Sequence, residues 1–151
     1  MILYEDNDII VCHKSAGIAV QSARIGEKDL VSMLNNHLME QADQRMESVR
    51  VVHRLDQPVE GIVVFAKNKK AAASLSAQIT DGSMKKVYQA VCCVTEAGRH
   101  WIGNAGKNDQ ELIDYMAKDA RTNSSAVVKK GPKDAKEARL SFRVMDADCL
   151  P

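Results

Sequence analysis

Val51-Val52-His53-Arg54-Leu55-Asp56-Gln57-Pro58-Val59-Glu60-Gly61-Ile62-Val63-Val64-Phe65-Ala66-Lys67 sets a polar cluster between two apolar, β-branched runs. The flanks read as strands, and Pro58 and Gly61 punctuate the segment between them as a turn. A strand that ends in His53-Arg54-Leu55-Asp56 and is re-entered at Ile62 presents a carboxylate beside a guanidinium on a loop held at both ends. Binding and catalytic groups concentrate on such loops. Taken alone, an Asp after Leu is an ordinary turn residue, so the reading depends on what surrounds it.

Outward from this stretch, short strands are expected at Ile2 to Tyr4 and Asp8 to His13, around the turn-prone Glu5-Asp6-Asn7, with Gly17 as a breaker after the second strand. From Asp29 the period changes. Leu30, Leu34 and Leu38, with Val31 beside them, predict an amphipathic helix to about Gln41, capped by Asp29. Ala42 to Ser48 is polar and reads as a loop. Val49 to Val52 and Ile62 to Ala66 are the strands that flank the Asp56 loop. Lys69 to Thr80 is an Ala-rich helix stopped by Asp81-Gly82, with a small-residue face suited to close packing on a sheet.

Val87 to Val94 is apolar on both faces apart from Gln89, the pattern of a central strand, and puts Tyr88 on one face with Ala90 and Cys92. Glu111 to Lys118 suggests a short helix. Glu137 to Met145 alternates, with Ala138, Leu140, Phe142 and Val144 inward and Glu137, Arg139, Ser141 and Arg143 outward. The expected class is α+β: a mixed, mainly antiparallel sheet with flanking helices, forming one domain over residues 1–151 with no linker.

A chain of 151 residues, 45% apolar and 27% charged, has the material for one core and is too apolar for general disorder. No run of 18 apolar residues occurs, and Glu5, Asp6 and Asp8 replace the basic, then apolar, start of a secretory signal. The expectation is a cytoplasmic protein without a membrane partner. Cys12, Cys92, Cys93 and Cys149 lack C-x-x-C spacing and are read as buried free thiols. His13, His37, His53 and His100 are too scattered to propose a metal.

The net charge of +1 hides an uneven distribution. Between Lys118 and Arg143, eight basic residues oppose three acids, a net of +5, and Lys67, Lys69, Lys70, Lys85 and Lys86 add positive charge mid-chain. Solvated surface lysines account for such a pattern, and so does a stripe that contacts phosphates.

HRLDQPVEGIVVFAK resembles the catalytic motif of the RluA-type pseudouridine synthases, in which His-Arg-Leu-Asp is followed by Gly and an apolar strand. ILYEDNDIIVCHKSAG, residues 2–17, is similar to that family's opening strand pair, and KKVYQAVC, residues 85–92, to its Lys-x-Tyr-x-Ala segment. Two positions depart from the pattern: Ser15 replaces a turn proline, and Pro58-Val59-Glu60 replaces a Thr-Ser pair. The family's later segment, a basic residue followed by His-Gln-Ile-Arg, has no counterpart before Pro151, which suggests a carboxyl-terminally shortened member.

The resemblance implies an RNA uridine isomerase that needs no cofactor, since nothing is oxidised and no group is donated. It implies Asp56 as the catalytic carboxylate, acting as nucleophile or as the base that starts elimination from the ribose. Because the target nucleotide must leave the stack, Arg54 is a candidate to fill the gap or contact phosphate, and Tyr88 to pack beside the uracil. His53 is read as a structural hydrogen-bonding residue, and Lys14 and Lys67 as candidate RNA contacts or plain surface lysines. The rival reading is a non-catalytic RNA-binding protein that retains the scaffold. A glycosidic hydrolase using Asp56 and Glu60 is a more distant alternative.

Overall fold

The computed structural model describes residues 1–24, 26–41, 48–93, 95–96, 109–119, 121–122, 124–129, 131 and 135–145. Strands β1 (Ile2–Glu5) and β2 (Ile9–Lys14) form an antiparallel hairpin. Its turn is closed by Asp6, whose carboxylate accepts the backbone N–H groups of Asp8 and Ile9 at 2.7 and 2.8 Å. Helix α1 (Leu30–Gln41) comes next, then β3 (Arg50–Val51), β4 (Gly61–Ala66) and helix α2 (Lys69–Thr80). The sheet order is β1-β2-β4-β3, so the chain's first hairpin lies beside the strand that leaves the Asp56 loop.

The register explains the core. β2 and β4 pair antiparallel with Ile10 opposite Phe65, Cys12 opposite Val63 and Lys14 opposite Gly61. Residues directly opposite share a face and side chains alternate, so Ile10, Cys12, Val63 and Phe65 all point inward. There they meet Leu30, Leu34 and Leu38, spaced four apart along one stripe of α1, together with Val20 and Val49. The α1 start is as expected. Buried Asp29 accepts the backbone N–H of Ser32 at 2.7 Å, and that of Ser22 at the same distance, so one carboxylate caps the helix and ties down the preceding loop. Burial opposes its charge, but those backbone donors outweigh burial and hold the Asp29 carboxyl below its ordinary value.

Helix α2 occupies the expected span. Asn68 caps it by accepting the Ala71 N–H at 2.8 Å, and Ala71 is its buried residue, as a small-residue contact with β4 requires. The polar stretch at 42–47 lies outside the described residues.

Contacts divide the chain into two compact units, Met1–Tyr88 and Gln89–Pro151. No linker composition marks the boundary; it falls inside the apolar run read as a central strand. Residues 85–93 are not in a strand, and Val87 and Val91 are 90% and 87% exposed. A strand exists only as part of a ladder, and among the described residues no neighbour pairs with this run. Tyr88 therefore shares no strand face with Ala90 and Cys92. Cys92 and Cys93 are exposed free thiols, against the expectation of burial, whereas Cys12 is buried, and burial pushes its thiol up. Cys149 lies outside the described residues.

In the second unit, β5 (Gln110–Asp119), β6 (Ser124–Val128) and β7 (Lys136–Phe142) form an antiparallel sheet in the order β6-β5-β7. The helix expected at Glu111 to Lys118 is the central strand β5. Leu112, Ile113, Tyr115 and Met116 mimic a helical stripe, but β7 pairs with β5 from Gln110 to Met116 and β6 from Tyr115 to Asp119. Ladder partners on both edges override a weak local preference. β7 is the expected strand, although its intended inner residues Ala138 and Leu140 are exposed. Among the described residues every strand pairing in the two sheets is antiparallel and the sole parallel bridge joins Ala19 to Asp29, in keeping with the expected mainly antiparallel α+β class. Among the described residues no helix is long and apolar enough to cross a membrane.

Candidate active site

The loop between β3 and β4 holds three of the expected groups, His53, Arg54 and Asp56, within four residues, and its shape is set by hydrogen bonds at both ends. β3 stops after two residues because the His53 side chain takes over: its Nε2 accepts the Val64 N–H of β4 at 3.1 Å, where a longer strand would have placed a carbonyl. A protonated imidazole cannot accept that bond, so His53 sits in the tautomer with its proton on Nδ1. Burial, and then the nearby Lys86 ammonium, push the His53 imidazole below its ordinary value of 6.5.

The sign of the resulting pH dependence is fixed. Below 6.5 the unfolded chain takes up a proton that the folded chain resists, so stability falls as pH is lowered through 6.5 toward the folded value. Urea denaturation between pH 8 and 5 should show a steeper acid loss for the native chain than for His53→Gln. Equal slopes would mean that this imidazole is not held neutral by the fold.

After His53, Arg54 is exposed, Leu55 packs against the core, and Asp56 turns outward with its carboxylate in solvent. The Asp56 carbonyl accepts the Val59 N–H at 3.0 Å, closing a turn over Gln57-Pro58. The chain re-enters the sheet at Gly61, which has a φ of +156°. A Cβ there would lie 3.2 Å from Leu55 Cδ1, so the close return of the loop over Leu55 favours glycine.

The end of β2 fastens this loop from the other side. Gly17 N–H donates to the Gln57 carbonyl at 2.8 Å, and the Gln57 side-chain amide donates back to the Gly17 carbonyl at 3.0 Å. Gly17 adopts φ +87°, a left-handed conformation that makes this turn accessible to glycine. His13 Nε2 and Glu60 Oε1 are 3.0 Å apart at the loop's exit. Beneath the loop lies Lys14, 0% exposed, whose Nζ donates to the carbonyls of Gln57 at 3.0 Å and Ser15 at 3.2 Å. Burial pushes the Lys14 ammonium below its ordinary value, opposed by the carboxylates of Asp56 and Glu60.

Two of the expected RNA contacts are therefore internal. Lys14 is wholly covered, and a phosphate contact requires an accessible ammonium. Lys67, with its side chain 8% exposed, donates to Glu5 Oε1 at 2.8 Å and to the Asp6 carbonyl at 2.7 Å, while His37 Nε2 lies 2.8 Å from Glu5 Oε2. Hydrogen bonds from Lys67 and then His37 hold the Glu5 carboxyl below its ordinary value. Lys67 thus ties β1 to the end of β4.

Arg54, by contrast, is exposed beside Asp56, and Tyr88 stands 61% exposed at the end of the first unit, outside any strand. The Gln57 and Gly17 contacts and the His13–Glu60 pair lie beyond the sequence-based expectations. The signal for buried Lys14 is present in the alternation Ile10, Cys12, Lys14, which sends all three side chains to one face. Among the described residues, no three His, Cys, Asp or Glu side chains gather as a metal site.

In the second unit, Arg139, expected on an open basic face, is engaged by Glu111 at 2.9 Å and Glu137 at 3.1 Å, and Arg143 lies 3.9 Å from Asp109. Lys118, Arg121, Lys129 and Lys136 remain exposed, while Lys130 and Lys133 lie outside the described residues.

Residues 8–149 match the family model described as RNA pseudouridylate synthase, a span that contains the whole Asp56 loop. The chain belongs to the RNA pseudouridylate synthase family. It is 37% identical over 91 residues to the uncharacterized RNA pseudouridine synthase YhcT of Bacillus subtilis (strain 168), covering 60% of this chain and 30% of that protein. It is 27% identical over 150 residues to tRNA pseudouridine synthase C of Vibrio cholerae, covering 99% of this chain and 55% of that protein. The structure of human RNA Pseudouridylate Synthase Domain Containing 4 superposes with a TM-score of 0.64 at 16% identity, over 95% of this chain and 52% of that one. That likeness establishes the α+β fold. The chain thus spans about half or less of the length of these relatives. The motif resemblance drawn from residues 53–67 holds at the level of the family.

Proposed function

We propose that the protein converts specific uridines in ribosomal or transfer RNA to pseudouridine, with Asp56 as the reacting carboxylate. The observation that carries this reading is the solvent-facing Asp56 on a loop hydrogen-bonded to the end of β2, inside a chain that belongs to the pseudouridylate synthase family. The reaction breaks the bond from uracil N1 to ribose C1′, turns the base and joins C1′ to C5, with the C5 proton lost to water and one proton taken up at N1. A carboxylate near C1′ serves either by adding to that carbon or by removing a ribose proton to start elimination.

C1′ and C5 are out of reach inside a helix, so the nucleotide is flipped out. Arg54, exposed two residues before Asp56, has the planar, charged side chain that stacks in the vacated space or holds a phosphate. Tyr88, exposed at the end of the same unit, is the residue that matches the family tyrosine beside the uracil.

The test is release of tritium from RNA labelled at uridine C5. The expected result is one tritium released per uridine modified, with no free uracil. Free uracil would point instead to a hydrolase, and RNA binding without release to a scaffold that binds but does not react.

A further inference from the structure

Lys14 is hard to explain as packing. Its aliphatic stem continues the inward series of Ile10 and Cys12, and a methionine would fill that space without taking an ammonium out of water. Its charge does not serve a structural ion pair: among the described residues no carboxylate oxygen lies within 4.0 Å of its Nζ, and both of its hydrogen bonds go to main-chain carbonyls. One of those carbonyls belongs to Gln57, the residue after Asp56.

The same Gln57 oxygen accepts the Gly17 N–H, so two donors, one from the last residue of β2 and one from the turn just after it, converge on the carbonyl of the residue that follows Asp56. The partner opposite Lys14 in the ladder is Gly61, which leaves room for the ammonium beneath the loop.

We propose that Lys14 is a positioning residue for Asp56: its buried ammonium anchors the Gln57 carbonyl and so holds the loop in the conformation that presents the carboxylate one residue earlier. The inference rests on the proposed role of Asp56. Among the charged groups around it, the carboxylates of Asp56 and Glu60 oppose the effect of burial on Lys14, Glu60 lies 3.0 Å from His13, and Arg54 on the same loop is exposed.

Lys14→Gln keeps a donor for the Gln57 carbonyl and removes the charge; Lys14→Met removes both. Tritium release is measured for each across pH 5 to 9, alongside thermal stability and amide exchange of residues 55–61. For Lys14→Met, kcat should fall on the order of tenfold to a hundredfold, and by less for Lys14→Gln, which keeps a donor for the Gln57 carbonyl. KM for RNA should be little changed in both. Lys14→Met should in addition speed amide exchange in the loop at pH 7.

A rise in KM alone would make Lys14 an RNA contact and overturn the proposal. So would an equal fall in kcat for Lys14→Gln and Lys14→Met, since only the second removes the donor to the Gln57 carbonyl. If Lys14→Met does not fold, the Gln variant carries the same test. If the native protein releases no tritium, the function reading fails on its own, and loop exchange still decides the anchor: unchanged exchange in a folded Lys14→Met overturns it.

Discussion

Asp56→Ala should abolish tritium release while leaving the fold and RNA affinity close to those of the native protein. A positioned general base contributes on the order of 10²–10⁴-fold, and a nucleophile whose covalent step is removed contributes more, so kcat should fall by at least about a hundredfold. The fold should survive because the Asp56 side chain is exposed and its structural contribution comes from the main chain: the carbonyl that accepts the Val59 N–H is still present in alanine. The neighbouring anchors at Gln57 are main-chain and side-chain contacts of another residue. RNA affinity should persist because phosphate contacts come from cations, and the substitution removes none. The checks are release kinetics, a filter-binding curve and a thermal melt on one preparation. Release at the native rate by Asp56→Ala would remove Asp56 from the chemistry; loss of binding in step with release would make it an RNA contact instead.

Much of this site is legible in the sequence, and the reason is geometric. His53, Arg54 and Asp56 lie on a short loop between two strands, and a strand–turn–strand pattern fixes where such residues go to within a turn. His53 illustrates the limit. The sequence predicts a structural hydrogen bond, but its partner, the Val64 N–H, depends on β3 ending after two residues, and a β-branched run at Val49 to Val52 does not announce that end. Lys14 and Lys67 read as surface groups because lysine is seldom buried. Alternation along β2 overrules that tendency for Lys14, and for Lys67 the decisive fact is Glu5, more than sixty residues away in sequence and 2.8 Å away in space. Long-range partners of this kind leave no local trace.

The fold divides the same way. In the first unit, period-two strands alternate with helices whose caps, Asp29 and Asn68, sit immediately before their starts, so local pattern and final structure agree. From Val87 onward the pattern misleads twice. Gln110 to Asp119 has helical spacing and is a strand because β6 and β7 flank it, and Val87 to Val94 has strand composition but no ladder partner across the described residues 87–93. Both errors concern pairing, which depends on segments far along the chain and not on the residues being read.

That contrast makes the first unit's core the place where a single change should cost most, and Phe65→Ala is the substitution to make. Phe65 is 0% exposed near the end of β4, with β2 on one side and β3 on the other, facing Ile10 across the ladder and the Leu30, Leu34 and Leu38 stripe of α1. Truncating a buried phenylalanine removes its transfer free energy and leaves a cavity whose walls relax only in part, together about 3–5 kcal/mol. Domains of this size are stable by only about 5–15 kcal/mol, so the variant should lose much of its margin. Its effect should also reach the site, because Leu55 packs on the same core and Gly61 closes over Leu55. Urea denaturation should therefore show a lower midpoint with an unchanged slope, and amides of residues 55–61 should exchange faster than those of β5 and β7. Ile62→Ala, on the opposite and exposed face of the same strand, supplies the control and should change stability by less than about 1 kcal/mol. If Phe65→Ala cost no more than that control, the packing of α1 against β2 and β4 would not be what holds the Asp56 loop in place.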